Sequence, residues 1–106
     1  MNWTKQELLA YVLLYVANAD FEETNTERDI IASKVDRKTF EKIHKEFDSD
    51  NDFQSINKIL ASLEAHRYSK KDINMLLKDI KVLFFADDEY DIKEQSMMMF
   101  LKRIFK

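Results

Sequence analysis

The sequence predicts an all-α domain, a single compact bundle of about six helices, and three observations carry that prediction. Apolar residues recur at helical spacing along most of the chain. Four pairs of the form Ser/Thr/Asp-x-x-Glu/Asp mark helix starts: Thr4 with Glu7, Thr24 with Glu27, Ser69 with Asp72 and Asp91 with Glu94. No segment alternates polar and apolar residues over the length of a strand.

Each helix follows in order. The first runs from the Thr4 box to about Ala19, and its Leu8, Leu9, Tyr11, Val12, Leu13, Leu14, Tyr15, Val16 and Ala17 wrap nearly all round. A helix without a polar face belongs in the middle of a bundle. The second opens at Thr24 and continues through Val35, with Ile30, Ile31 and Val35 as its stripe. Asp36 caps the third, where Phe40, Ile43 and Phe47 recur on one side. The polar stretch 48–52 turns the chain into the fourth, whose Phe53, Ile56, Ile59, Leu60 and Leu63 are expected inward. Ser69 opens the fifth, carrying Ile73, Leu76, Leu77, Ile80, Leu83 and Phe84. Asp91 opens the sixth, with Met97, Met98, Phe100, Leu101, Ile104 and Phe105. The first and fifth helices, the most apolar, are expected to centre one domain spanning 1–106.

Composition narrows the function. The 106 residues are 45% apolar and 35% charged with a net charge of −3, the profile of a globular domain rather than a disordered chain. Glycine, proline and cysteine are absent. Without glycine there is no Walker loop, dinucleotide fingerprint or nucleophile elbow, and without cysteine no disulfide, thiolate zinc site or thiol nucleophile. The longest uncharged run, 8–19, has twelve residues, short of the ~20 that span a bilayer. Neither a basic leader region nor a cleavage site accompanies it, so no membrane insertion is expected and a cytoplasmic location is the default. Mild acidity argues against a nucleic-acid partner, because phosphate neutralisation needs a concentrated basic face. Two short basic clusters, His66-Arg67 with Lys70-Lys71 and Lys102-Arg103 with Lys106, read as solvated helix ends.

A shift of 67 residues brings out an internal repeat: Ala19-Asp20-Phe21-Glu22 falls on Ala86-Asp87-Asp88-Glu89, Glu27 on Glu94, Leu13 on Ile80 and Ile30 on Met97. Each copy reads as an apolar helix, an acidic connector, a capping box and a further helix. Two such hairpins would be related by an approximate twofold axis. Acids at helix C-termini oppose the helix dipole at roughly 0.3–1 kcal/mol each, and a cation would relieve them. If the connectors meet, Asp20, Glu27, Asp87 and Glu94 bring four carboxylates together, with Asp88 and Asp91 as further donors. An all-oxygen set suits Ca²⁺, Mg²⁺ or Mn²⁺ rather than Zn²⁺ or Cu²⁺. Capping by Glu27 and Glu94 and solvation of the other acids is the alternative reading.

The two segments Ala19-Asp20-Phe21-Glu22-Glu23-Thr24-x-x-Glu27 and Ala86-Asp87-Asp88-Glu89-Tyr90-Asp91-x-x-Glu94 resemble the twin acidic motifs of the tellurite-resistance TerB-like domains. The family's usual glycine after Ala-Asp is Phe21 in one copy and Asp88 in the other. The resemblance implies a compact helical bundle, paired acidic motifs that bind a metal ion, and a place in metal and chemical stress responses, often near a membrane complex. The positions that match are Asp20, Glu27, Asp87 and Glu94.

Other constellations are weaker. Asp48-x-Asp50-x-Asp52 starts like an EF-hand loop, but Phe53 stands where the loop needs glycine and Ile59 where it needs glutamate. Glu41-x-x-His44 has the spacing of one di-iron half-site, yet the only other histidine, His66, lacks a glutamate three residues before it. His66 beside Ser69 or Asp72 has neither an activated nucleophile nor an oxyanion hole to work with, so no enzyme is expected. Packing accounts for Met97, Phe100, Leu101 and Ile104, which leaves Met98 or Met99 for an adaptable surface patch. Trp3 and Tyr11 make a second candidate patch, unless they fill gaps between helices. The expectation is a non-enzymatic TerB-like domain binding a divalent cation. The alternative is a protein–protein interaction module that uses the Met and aromatic patches and holds no ion.

Overall fold

A first helix with no polar face must be enclosed by the others, and it is. The computed structural model describes residues 3–18, 25–84 and 92–105, the side chains of 92–94 excepted. Six helices follow one another: α1 (Lys5–Asn18), α2 (Asn25–Lys34), α3 (Arg37–Ser49), α4 (Asp52–Ala65), α5 (Lys70–Phe84) and α6 (Ile92–Ile104). The described residues contain no strand. In α1, Leu8 and every residue of 10–17 are buried. Helices α2, α3, α4 and α5 all pack against α1, and α5 in turn carries α2 and α6. The all-α bundle centred on the first and fifth helices is therefore the observed fold. Each large aliphatic side chain enclosed in this way, Leu13 and Ile80 among them, contributes about 1.5–3 kcal/mol.

The helix starts are written in the sequence. Thr4 and Glu7 form the expected reciprocal box: the Glu7 N–H donates to Thr4 Oγ1 at 3.1 Å and the Thr4 N–H to Glu7 Oε1 at 2.7 Å. Ser69 and Asp72 do the same for α5, and Asp36 caps α3 through the Thr39 N–H. Within the 48–52 turn Asn51 is the N-cap of α4, and Gln54 closes the box. The boxes at Thr24 and Asp91 lie outside the described residues.

The end of α4 solves a problem peculiar to a chain without glycine. Arg67 adopts φ 52°, its N–H donates to the Glu64 carbonyl at 3.0 Å, and the Tyr68 N–H donates to the Leu63 carbonyl at 3.1 Å. This is a Schellman turn with arginine in the left-handed position normally given to glycine. It places Tyr68 at the entrance to α5.

Three expectations about burial are corrected. Phe53 sits in the first turn of α4, where its neighbours Asp52 and Ser55 take the positions against α1, and is 76% exposed. On α6, Met98 is buried whereas Phe100 is 41% exposed, because the helix turns the face of Met98, Leu101 and Phe105 inward. Trp3 and Tyr11 form no surface patch: their rings stack 4.5 Å apart inside the core, and Tyr11 meets Phe47 edge-on at 5.6 Å.

Candidate functional site

The position of the acidic segments depends on how α1 and α5 run. Their starts are adjacent. His66 Nε2–H donates to the Trp3 carbonyl at 2.7 Å, the Lys5 ammonium lies 5.6 Å from the centre of the Tyr68 ring, and the Lys5 charge acts on Asp72. One turn further along, Leu9 shares a surface hollow with Met75, Leu76 and Asp79. The two helices thus run side by side in the same direction. At 14 and 15 residues they are also nearly equal in length. Asn18 and Phe84, the last residues before the two acidic segments, accordingly stand at the same end of the bundle.

Of the six predicted ligands, Asp20, Asp87, Asp88 and Asp91 lie outside the described residues. Glu94 lies on the α6 backbone, with its side chain outside them. Glu27 is described. It sits in the first turn of α2 and is buried, at 3% exposure, and it is engaged by a neighbouring group. Among the described residues no three His, Asp or Glu side chains converge as a metal site would require.

The acids of 48–52 are structural acceptors, in keeping with the failed EF-hand pattern. Asp48 Oδ2 meets His44 Nδ1 at 3.1 Å, and Asp52 Oδ1 accepts from the Tyr15 hydroxyl at 3.0 Å. Asp50 Oδ2 accepts from the Tyr11 hydroxyl at 2.6 Å and from Lys58 at 2.7 Å. Lys58 also donates to Glu46 at 3.0 Å, and Glu46 accepts from the Trp3 indole at 3.3 Å. Burial alone would push the Asp50 carboxyl up, but the hydrogen bonds from Lys58 and Tyr11 and the Lys58 charge hold it below the usual carboxylate range. Burial, and then the bond to Asp50, drive the Tyr11 phenol well above its ordinary value. The network ties the α3–α4 corner to α1, and periodicity could not reveal it because its bonds to α1 join residues 37 to 44 apart.

Other polar residues singled out in the sequence serve as caps or ion-pair partners. Glu41 pairs with Arg37 at 3.1 Å on an exposed face of α3, so Glu41 and His44 look outward to separate partners. The Ser69 hydroxyl accepts the Asp72 N–H and serves as a cap. Glu7 is buried yet satisfied: hydrogen bonds from Lys42 and the Thr4 N–H hold its carboxyl below the usual range.

Sequence reasoning did not anticipate one further feature. A cavity of about 440 Å³ opens where the start of α5 meets the end of α6, lined by Tyr68, Lys70, Ile73, Asn74, Leu77, Lys102 and Phe105. Its lysines had been visible only as two separate basic clusters, assigned to solvent.

Compared with protein-family models, curated proteins and solved structures, the chain matches none of them. No described helix is long and apolar enough to cross a membrane.

Proposed function

We propose that this chain is a non-enzymatic domain similar to the TerB-like domains, and that it takes up a divalent cation, Ca²⁺, Mg²⁺ or Mn²⁺, at one end of its helical bundle. Asp20, Glu27, Asp87 and Glu94 are the proposed oxygen donors, with Asp88 and Asp91 beside them. The carrying observation is the common direction of α1 and α5, whose final described residues, Asn18 and Phe84, share an end. Support also comes from spacing: Lys5 and Asp72, whose charges interact, are separated by the same 67 residues as the two acidic motifs. Repulsion among carboxylates gathered there would be relieved by a cation. In this proposal the domain works in the cytoplasm, in a metal or chemical stress response, and relays ion occupancy to a protein partner.

The test is a thermal melt of chelator-treated protein, repeated with each ion in turn. At a hundredfold excess over the dissociation constant, occupancy adds about 2.7 kcal/mol and raises the midpoint by several degrees. A rise that vanishes in Asp20→Asn and in Asp87→Asn supports the proposal. A melt unmoved by all the ions overturns it.

A second reading rests on a different observation. Met99 is 64% exposed and its neighbour Phe100 is 41% exposed, an apolar pair on the outer side of α6. Such a pair suits an adaptable protein contact that needs no ion. In that case Met99→Asp abolishes partner capture, leaves the melt unchanged, and ions have no effect.

A further inference from the structure

We infer that the cavity between the start of α5 and the end of α6 is a binding site for a small anionic amphiphile, a monocarboxylate on an aliphatic chain. It lies at the opposite end of α5 from Phe84 and is independent of the proposed cation site.

The walls set the body of the ligand. Ile73 and Leu77 stand one turn apart on α5, and Phe105, buried at the end of α6, faces them across the cavity. Tyr68 forms a third side. Its backbone is held by the Schellman turn and its ring by Lys5. A second cavity of about 370 Å³ shares Tyr68, Ile73 and Phe105 and continues toward Leu60, Leu63 and Glu64 of α4, so aliphatic walls extend beyond the first chamber while the one acid, Glu64, lies on the far side, away from the two lysines' chamber. Volumes of this size are those of small-molecule sites, about 300–1,000 Å³, and are too small for a docked helix.

The charges set the head group. Lys70 and Lys102 both line the first chamber, the polar group beside them is the neutral amide of Asn74, and no acid lines it. Neither lysine forms an ion pair among the described residues, whereas Lys34, Lys42 and Lys58 all do. Lys70 is the first residue of α5, where the helix dipole also favours an anion. Two ammonium groups without an ion pair among the described residues, both lining a largely apolar chamber, complement a carboxylate with an aliphatic tail. A cationic or uncharged chain of equal length lacks that complement, and so does a bare anion.

The experiment is a titration of the full chain with sodium decanoate below its micellar concentration, followed by amide NMR and calorimetry. Decyltrimethylammonium and inorganic phosphate serve as comparison probes. The expected result is saturable decanoate binding that moves the amides of Tyr68, Ile73, Leu77 and Phe105, with neither comparison probe doing so. Lys70→Glu combined with Lys102→Glu, both exposed positions, weakens binding by roughly tenfold or more. Lys70→Met with Lys102→Met keeps the side-chain stems and gives the same loss should charge reversal lower the melting temperature. The inference is overturned by any of three results: no saturable binding, equal binding of decyltrimethylammonium or phosphate, or decanoate binding indifferent to both lysine pairs.

Discussion

The Tyr11 hydroxyl donates to Asp50 Oδ2 across 2.6 Å, and the Lys58 ammonium reaches the same oxygen at 2.7 Å. Tyr11 belongs to α1 and is wholly buried, while Asp50 is the single residue between α3 and the N-cap of α4. One carboxylate thus anchors the corner of two helices to the centre of the bundle. Removing the phenol oxygen leaves Asp50 with Lys58 but takes away a charge-assisted hydrogen bond, together with the contact to Ser55 Oγ at 3.0 Å. Tyr11→Phe should cost about 2 kcal/mol, read as a lower urea midpoint at unchanged slope. Tyr15→Phe, which loses the longer bond to Asp52, should cost less.

Acid should weaken the fold through identifiable groups. Glu7 and Asp50 are held below their ordinary values of 4.5 and 3.8. A carboxyl lowered in the folded state stabilises fully above its unfolded value, and the contribution is lost as pH falls through the folded one. Stability should be insensitive to these two groups above about pH 5 and should decline below about pH 4. Glu7→Gln should flatten that decline in acid melts.

The alkaline limb has the opposite sign. Hydrogen bonding to Glu7 raises Lys42 above 10.5, and bonds to Asp50 and Glu46 raise Lys58 despite its burial. Their contribution is complete below 10.5 and is lost as pH climbs through the raised values, with Tyr11 acting in the same sense. Stability measured above about pH 10.5 should therefore fall, and less steeply in Tyr11→Phe.

Arg67 holds a left-handed conformation that costs a residue with a Cβ about 1 kcal/mol. Arg67→Gly should raise the melting temperature by a few degrees, a gain partly offset by the greater freedom of glycine in the unfolded chain. A fall in melting temperature would mean that the arginine side chain makes a compensating contact.

On α6, adjacent methionines should behave very differently. Met98→Ala opens a cavity in the core and should cost about 2–3 kcal/mol, whereas Met99→Ala should stay within about 0.5 kcal/mol of the parent. Similar losses at both positions would place the inward face of α6 elsewhere.

Under the proposed cation site, Asp87→Asn should raise the ion-free melting temperature because it relieves repulsion among the carboxylates, and a melting temperature unchanged by the substitution counts against their crowding.

Much of the fold was legible because helical propensity and burial agree. The unbroken apolar surface of residues 8–17 gave the central helix, and the capping pairs at Thr4 and Ser69 located two helix starts to within a residue. Legibility failed where the decisive factor is not local. Phe53 has the spacing of its inward neighbours, but a first-turn position at the edge of the bundle leaves it in water. Met98 and Phe100 are both apolar, and only the packing of α6 on α5 decides which is covered. The Tyr11–Asp50–Lys58 network and the Tyr68–Lys70–Lys102 cavity each join residues from distant parts of the chain, and no spacing rule connects them.

The enclosure of α1 has a consequence for synthesis. Its covering helices are distributed along the chain as far as residue 84, so a nascent polypeptide that has released only the first two or three helices still exposes a strongly apolar rod. At about 5–20 residues per second, several seconds separate the emergence of α1 from that of α5. During that interval the segment 8–17 is an attractive binding stretch for a holdase chaperone. Truncation before α5 should yield insoluble material rather than a smaller folded unit.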